Sequence, residues 1–203
     1  MRDRYVIPVL APPLRGAARL LVRAGVGADA VTWAGFAIGL AGAAAIAQRH
    51  YALGLGLLLA SRVADGLDGA VARLSTPTDR GAFLDIALDF IFYASIPLAF
   101  ALADPAANAL PAAVLLAAFM GTGASFLAFA VLAERRGLKS TGYPSKGFFY
   151  LGGLTEGAET IACFALMCLW PQHFAGWAYG FAALCVLTIV TRLVAGWTIF
   201  GAR

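Results

Sequence analysis

The sequence predicts an all-α integral membrane protein: six transmembrane helices preceded by an amphipathic helix on the cytoplasmic side, in one domain spanning residues 1–203. Three observations point there. Hydrophobic residues make up 61% of the 203 and charged residues only 13%, where soluble domains sit at about 45–50% and about 25%. No single core of this length hides that much apolar surface, so lipid is the solvent for much of it. The apolar residues also fall in runs near the roughly 20 that a helix needs to cross a bilayer, and the cations between the runs segregate by side.

Residues 1–27 hold a short apolar run broken by Pro8, Pro12 and Pro13 and followed by arginines, which does not read as a secretory leader. Pro12-Pro13 is suited to a first helical turn. Arg15, Arg19 and Arg23 then recur every fourth residue among Leu14, Leu20, Leu21 and Val22. That pattern fits a cationic amphipathic helix lying on an anionic leaflet; a plain basic tail that only sets topology fits it equally.

The six expected spans cover residues 30–48, 52–73, 82–103, 110–133, 147–170 and 174–199. Short polar breaks separate them: Gln48-Arg49-His50, Ser75 to Arg80, Asp104-Pro105, Glu134 to Lys146 and Pro171-Gln172-His173. Small-residue runs such as Ala41 to Ala45 suit close helix packing in lipid. With six spans, the termini and the second and fourth loops share a side. That side carries Arg2, Arg4, Arg15, Arg19, Arg23, Arg73, Arg80, Arg135, Arg136, Lys139, Lys146 and Arg203, against Arg49 on the other. The positive-inside rule then puts both termini in the cytoplasm, in a multi-pass protein of the inner (cytoplasmic) membrane. The net charge of +4 is thereby accounted for by topology rather than by nucleic-acid binding. Cys163, Cys168 and Cys185 lie inside apolar runs, odd in number and without metal-ligand spacing, and His50 and His173 are loop residues. Neither a disulfide framework nor a zinc site is expected.

Against this background four acids stand out. A carboxylate at mid-membrane costs about 2.5–3.5 kcal/mol even on insertion scales, yet Asp65 and Asp68 lie in the second span and Asp85 and Asp89 in the third. Spacings of three and four put each pair on one helix face. The short loop between the spans makes the helices antiparallel neighbours, so all four carboxylates converge at one depth in the cytoplasmic half. Their mutual repulsion is relieved by one or two divalent cations, and hard oxygen ligands favour Mg2+ or Mn2+. Gly66 and Gly69 beside them let a bulky ligand approach the backbone, and Arg73 follows one turn later. Metal, arginine and open backbone together suit a diphosphate. Ion pairing with Arg62 and Arg73 would account for at most two of the four charges. A small cation- or proton-coupled transporter using the same carboxylates is the alternative of a different class.

The residues themselves carry a resemblance. Asp65-Gly66-Leu67-Asp68-Gly69-Ala70-Val71-Ala72-Arg73, seven residues, then Gly81-Ala82-Phe83-Leu84-Asp85-Ile86-Ala87-Leu88-Asp89 resembles the signature of the class I CDP-alcohol phosphatidyltransferase family, D-x2-D-G-x2-A-R, seven or eight residues, G-x3-D-x3-D. The chain as a whole is similar to a bacterial branch of it. The resemblance implies a membrane enzyme of phospholipid synthesis, moving the phosphatidyl group from CDP-diacylglycerol to an alcohol with release of CMP. It implies two metal ions on Asp65, Asp68, Asp85 and Asp89, with Asp89 also the general base. Gly66, Gly69, Ala72 and Arg73 would face the CDP moiety, and Thr78 matches a nucleotide-contacting position in some members. Asp29-Ala30-Val31-Thr32 resembles the family's P-[N/D]-x-x-T segment at the cytidine site, with Ala28 in place of the proline; by themselves Asp29 and Thr32 read as a helix cap at the membrane boundary. A homodimer is also implied.

For the acceptor, Gly152 to Thr160 resembles a G-L-I-E-R-P-E-R-like segment of relatives that use inositol phosphate. Glu156 and Glu159 are kept, whereas Gly157 and Thr160 replace the arginines. Lys146, Arg135, Arg136 and Arg192 are the anion contacts that remain, with topology charge and, for Arg192, snorkelling to the interface as their plain alternatives. Glycerol phosphate, a polyol or another lipid all remain open as acceptor.

Overall fold

The computed structural model describes residues 3–138 and 155–201, with side chains from residue 13 onward. Among them are seven α-helices, one 3-10 turn and no strand. They are α1 (Asp3–Arg23), α2 (Ala28–Ala47), α3 (Tyr51–Leu74), α4 (Asp79–Ala103), α5 (Pro105–Arg135), α6 (Gly157–Leu169) and, after the turn Pro171–His173, α7 (Phe174–Gly201). Four of these stretches are long and apolar enough to cross a membrane: α2, α4, α5 and Pro171–Gly201. The molecule is a multi-pass membrane protein, all-helical among the described residues.

Two elements depart from expectation. The first helix begins at Asp3, well before Pro12. Beyond the prolines it is two-faced: Ala18 is fully buried and packs with Leu14, Leu21 and Val22 against Leu67, Ala70 and Val71 of α3, while Arg15, Arg19 and Arg23 are exposed. Gly25, at φ +76, then closes it, with the Val26 amide donating to the Leu21 carbonyl at 2.9 Å. The second departure is the expected span 147–170. Its first part lies outside the described residues, and Thr155 and Glu156 are not helical; α6 starts only at Gly157, with Glu156 extended (φ −100°, ψ −177°) in the cap position. Glycine-rich chain holds helix poorly, so Glu156 stands at a helix entrance rather than in mid-span.

The remaining breaks fall where polar residues supply caps. Thr78 accepts the Gly81 amide at 3.0 Å to start α4, and Asp104 accepts the Ala107 amide at 3.2 Å to start α5 with Pro105 in its first turn. Arg49 takes a left-handed φ of 66° between α2 and α3, and its Nε donates to the Ala103 carbonyl at 2.8 Å. The turn is thereby tied to the end of α4.

Helix α2 packs against both α3 and α4, and α5 packs on α7, joined through α4 against α5 and α6 against α3 and α7. Aromatic rings fill the seam. Phe100 stacks on Phe174 at 4.6 Å and on Tyr51 at 5.7 Å, and Phe164 meets Tyr93 and Phe119 at 6.2 and 6.1 Å. Close approach of α2 depends on small residues: a Cβ on Gly39 would stand 2.7 Å from Phe92 Cδ2 and 2.8 Å from Ser61 Oγ, and one on Gly35 2.9 Å from the Ala64 Cβ. This is small-residue packing of the kind that membrane helices use.

Candidate active site

Helices α3 and α4 do not pack closely on one another as the short connection suggested; each packs on α2, and their acidic faces meet beside it. One carboxylate oxygen each from Asp65, Asp68 and Asp85 lies within 4.8 Å of the other two. Asp68 is buried, Asp65 half-buried and Asp85 exposed, so the group is open on one side. They line a cavity of about 10 Å3 together with Thr32, Gly35, Phe36, Ser61, Arg62, Leu88 and Asp89, room for one water-sized occupant. Asp68 Oδ2 is buried with no hydrogen-bond partner among the described residues. A buried acceptor left without a donor is costly, and three convergent carboxylates offer the hard oxygens that Mg2+ or Mn2+ takes. The donor set fits a divalent cation.

Asp89 belongs to the same cavity but faces a different partner. Arg62 Nη1 is 2.7 Å from Asp89 Oδ1 and 3.5 Å from Asp65 Oδ1. Its Nη2 donates to Ser61 Oγ at 3.2 Å, and the guanidinium lies 4.0 Å above the Phe92 ring and 5.7 Å from that of Tyr93. Ion pairing with Arg62 is thus present, and its closer contact is to Asp89 of α4 rather than to Asp65 on its own helix. Tyr93, one turn after Asp89, carries the site toward α6: a Cβ on Gly157 would be 3.6 Å from its hydroxyl. The spacing from Asp89 to Tyr93 was the available signal for it.

The other expected site residues divide. Thr32 lines the cavity beside Asp68, its hydroxyl donating to the Ala28 carbonyl at 3.1 Å. Asp29 does not cap α2, where Gly27 holds that position; it pairs with Arg80 at 2.5 Å and lies near Gly81. Ala30 is exposed and Val31 buried in helix packing, and neither lines the cavity. Gly69 lies under the Arg73 guanidinium, 3.3 Å from where its Cβ would be. Gly66 is open differently from what the sequence suggested, since Leu14 of α1 comes within 3.3 Å of its Cβ position. Ala72 follows half-buried on α3, and Thr78 caps α4.

Of the acceptor candidates, Lys146 lies outside the described residues. Glu156 is buried at the entrance to α6 and Glu159 sits in its first turn, with a buried Oε2 that has no hydrogen-bond partner among the described residues. Arg192 does not snorkel. It is buried in the bundle, donates to the Thr122 carbonyl at 3.0 Å and lies 5.3 Å from the Phe126 ring. Arg135 and Arg136 end α5, where Arg136 donates to the carbonyls of Ile199 and Phe200 at 3.1 and 2.8 Å.

This geometry sits inside a family match: the model of the CDP-alcohol phosphatidyltransferase family covers residues 26–194. The chain belongs to that family. Among curated proteins, the inner membrane protein YnjF of Escherichia coli K12 is 49% identical to this phosphatidyltransferase-family chain over 197 residues, 97% of this chain and 96% of that protein. Among solved structures, the fold matches the phosphatidylinositol phosphate synthase PgsA1 of Mycobacterium tuberculosis. Its CDP-DAG-bound form superposes with a TM-score of 0.73 at 23% identity, over 91% of this chain and 94% of that one. Its form with manganese and citrate gives 0.69 at 24% identity, over 91% and 89%.

Proposed function

We propose that this protein transfers the phosphatidyl group of CDP-diacylglycerol to an alcohol, releasing CMP, as a step of phospholipid synthesis in the inner membrane. The observation that carries the reading is the convergence of Asp65, Asp68 and Asp85 with Asp89 in one cavity lined by α2, α3 and α4, on the positions of the family signature. The PgsA1 form with bound CDP-DAG supports the donor, the form with manganese supports the metal, and the inner-membrane relative supports the location.

Asp65, Asp68 and Asp85 would hold the divalent cation, with Asp89 beside a second. Bound there, the ions would clamp the diphosphate and steady the charge that grows on the departing CMP. Arg73, lying over Gly69 at the cytoplasmic end of α3, reaches the diphosphate as a charge-assisted donor. Thr32 and Asp29 at the start of α2 flank the nucleotide. Asp89 accepts the acceptor's hydroxyl proton; with Oδ1 engaged by Arg62, that proton goes to Oδ2. The attacking oxygen then bonds to the phosphorus bearing the diacylglycerol as the bond to CMP breaks, a reaction that positioning alone speeds greatly.

The acceptor enters from the α6 side, where Tyr93 bridges the ground between Arg62 and Gly157 and where Glu156, Glu159 and Arg192 are buried polar groups. Helix α3 would complete the bundle as a span despite its charges and α6 would contribute to another, giving six with both termini cytoplasmic.

Purified protein with CDP-diacylglycerol and a panel of acceptors tests this. CMP release should require Mg2+ or Mn2+, stop with chelator and return on adding the ion back, and lipid mass spectrometry should name the acceptor. No CMP with any acceptor, alongside ion flux in vesicles, would replace the enzyme by a transporter.

A further inference from the structure

Arg62 is a cation built into the centre of a site made of carboxylates, and nothing in the reaction above requires it there. It is not a mobile surface arginine. Its side chain is 15% exposed. One face of the guanidinium rests 4.0 Å from the Phe92 ring, Nη2 is held by Ser61, and Phe92 is itself fully buried against Gly39. A guanidinium stacked on an aromatic face and bonded edge-on is fixed in position and permanently charged. The charge falls unevenly on the four aspartates. It is bonded to Asp89 at 2.7 Å and more distant from Asp65 at 3.5 Å, while the carboxylates that converge on one point are Asp65, Asp68 and Asp85.

A unit positive charge at that distance competes with any cation for Asp89 and repels one placed beside it. We infer that Arg62 is a positioning residue that holds Asp89 apart from the metal ligands, so that the site binds one divalent cation tightly at Asp65, Asp68 and Asp85 and a second far more weakly. The inference rests on reading the cluster as a metal-dependent transfer site. It also orders events: the diphosphate of the donor brings the negative charge that offsets Arg62, so the second ion enters with the donor rather than before it. Donor and second ion then favour each other's binding reciprocally.

The test is Mn2+ binding to the purified full-length protein in detergent, followed by the electron paramagnetic resonance of free Mn2+, with no turnover needed. The wild type should bind one ion tightly and a second at least about tenfold more weakly, the scale on which close charge pairs couple. Arg62→Met should strengthen the second site by about tenfold on the same grounds, and Arg62→Lys, which keeps the charge, should stay near wild type. Asp89→Asn should leave the tight ion's affinity unchanged where Asp85→Asn weakens it, a comparison that holds even if Arg62→Met fails to fold. The inference is overturned if Arg62→Met and wild type give the same isotherm, if Arg62→Lys shifts as far as Arg62→Met, or if Asp89→Asn weakens the tight ion as much as Asp85→Asn. Each of those results leaves the metal-dependent reading standing. A wild type that binds no Mn2+ at all removes that reading, and the role of Arg62 with it.

Discussion

Single side chains decide the chemistry, and Asp89 is the sharpest case. Its carboxylate lies in the cavity, bonded on one oxygen to Arg62. Asp89→Asn keeps size and hydrogen bonding but removes the capacity to take a proton. Transfer should fall by about 10²-fold or more, the usual contribution of a general base, while binding of CDP-lipid persists; CMP release beside a lipid-binding assay checks both. Persisting transfer would take the base role from Asp89. Thr78 offers a milder test, since its hydroxyl caps α4. Thr78→Ala should lower stability by about 1 kcal/mol, seen as a lower melting temperature, and Thr78→Ser should restore it. Positions of the four aspartates were legible because spacings of three and four fix the helix face without any knowledge of neighbours. Arg62 was only half legible: it could be named as a candidate ion-pair partner, but nothing in a linear sequence told which carboxylate would come closest.

At the level of helices, the site depends on how near α2 can come. Gly39 has no room for a methyl group, with Phe92 at 2.7 Å and Ser61 at 2.8 Å from it, and both of those residues support Arg62. Gly39→Ala should therefore cost about 1–3 kcal/mol, the range for overpacking a tight interior, and should also change Mn2+ affinity at a site it does not touch. Thermal melting and the Mn2+ isotherm, measured together, check the coupling. Most helix limits could be read because polar clusters and prolines interrupt the apolar runs, as at Asp104-Pro105. The start of α6 could not: around Gly152 to Gly157 glycines and apolar residues run on with little to mark a boundary, so Glu156 looked like a mid-span acid. The inward turn of Arg192 was not legible for a related reason. Nearness to a span's end suggests snorkelling, but the Thr122 carbonyl on α5 gave the guanidinium an inward partner.

For the molecule as a whole, composition made the membrane evident, and the distribution of arginine gave a direction. Reporters fused to either terminus should read as cytoplasmic, and one placed in the turn at Arg49 as external; the reverse pattern would invert the topology. Helix α3 shows what this architecture demands. It is 24 residues long, yet it is absent from the four stretches apolar enough to cross a membrane by themselves. The acids proposed to hold the metal make it a reluctant guest of the translocon, so α3 should partition into the bilayer in company with α2 and α4 rather than alone. Neutralising them ought to ease that passage: Asp65→Asn with Asp68→Asn should yield more inserted protein per cell than wild type while transferring nothing. Biogenesis and the proposed activity would then pull on the same two residues in opposite directions, and the level of protein in the membrane would be limited by its candidate metal ligands.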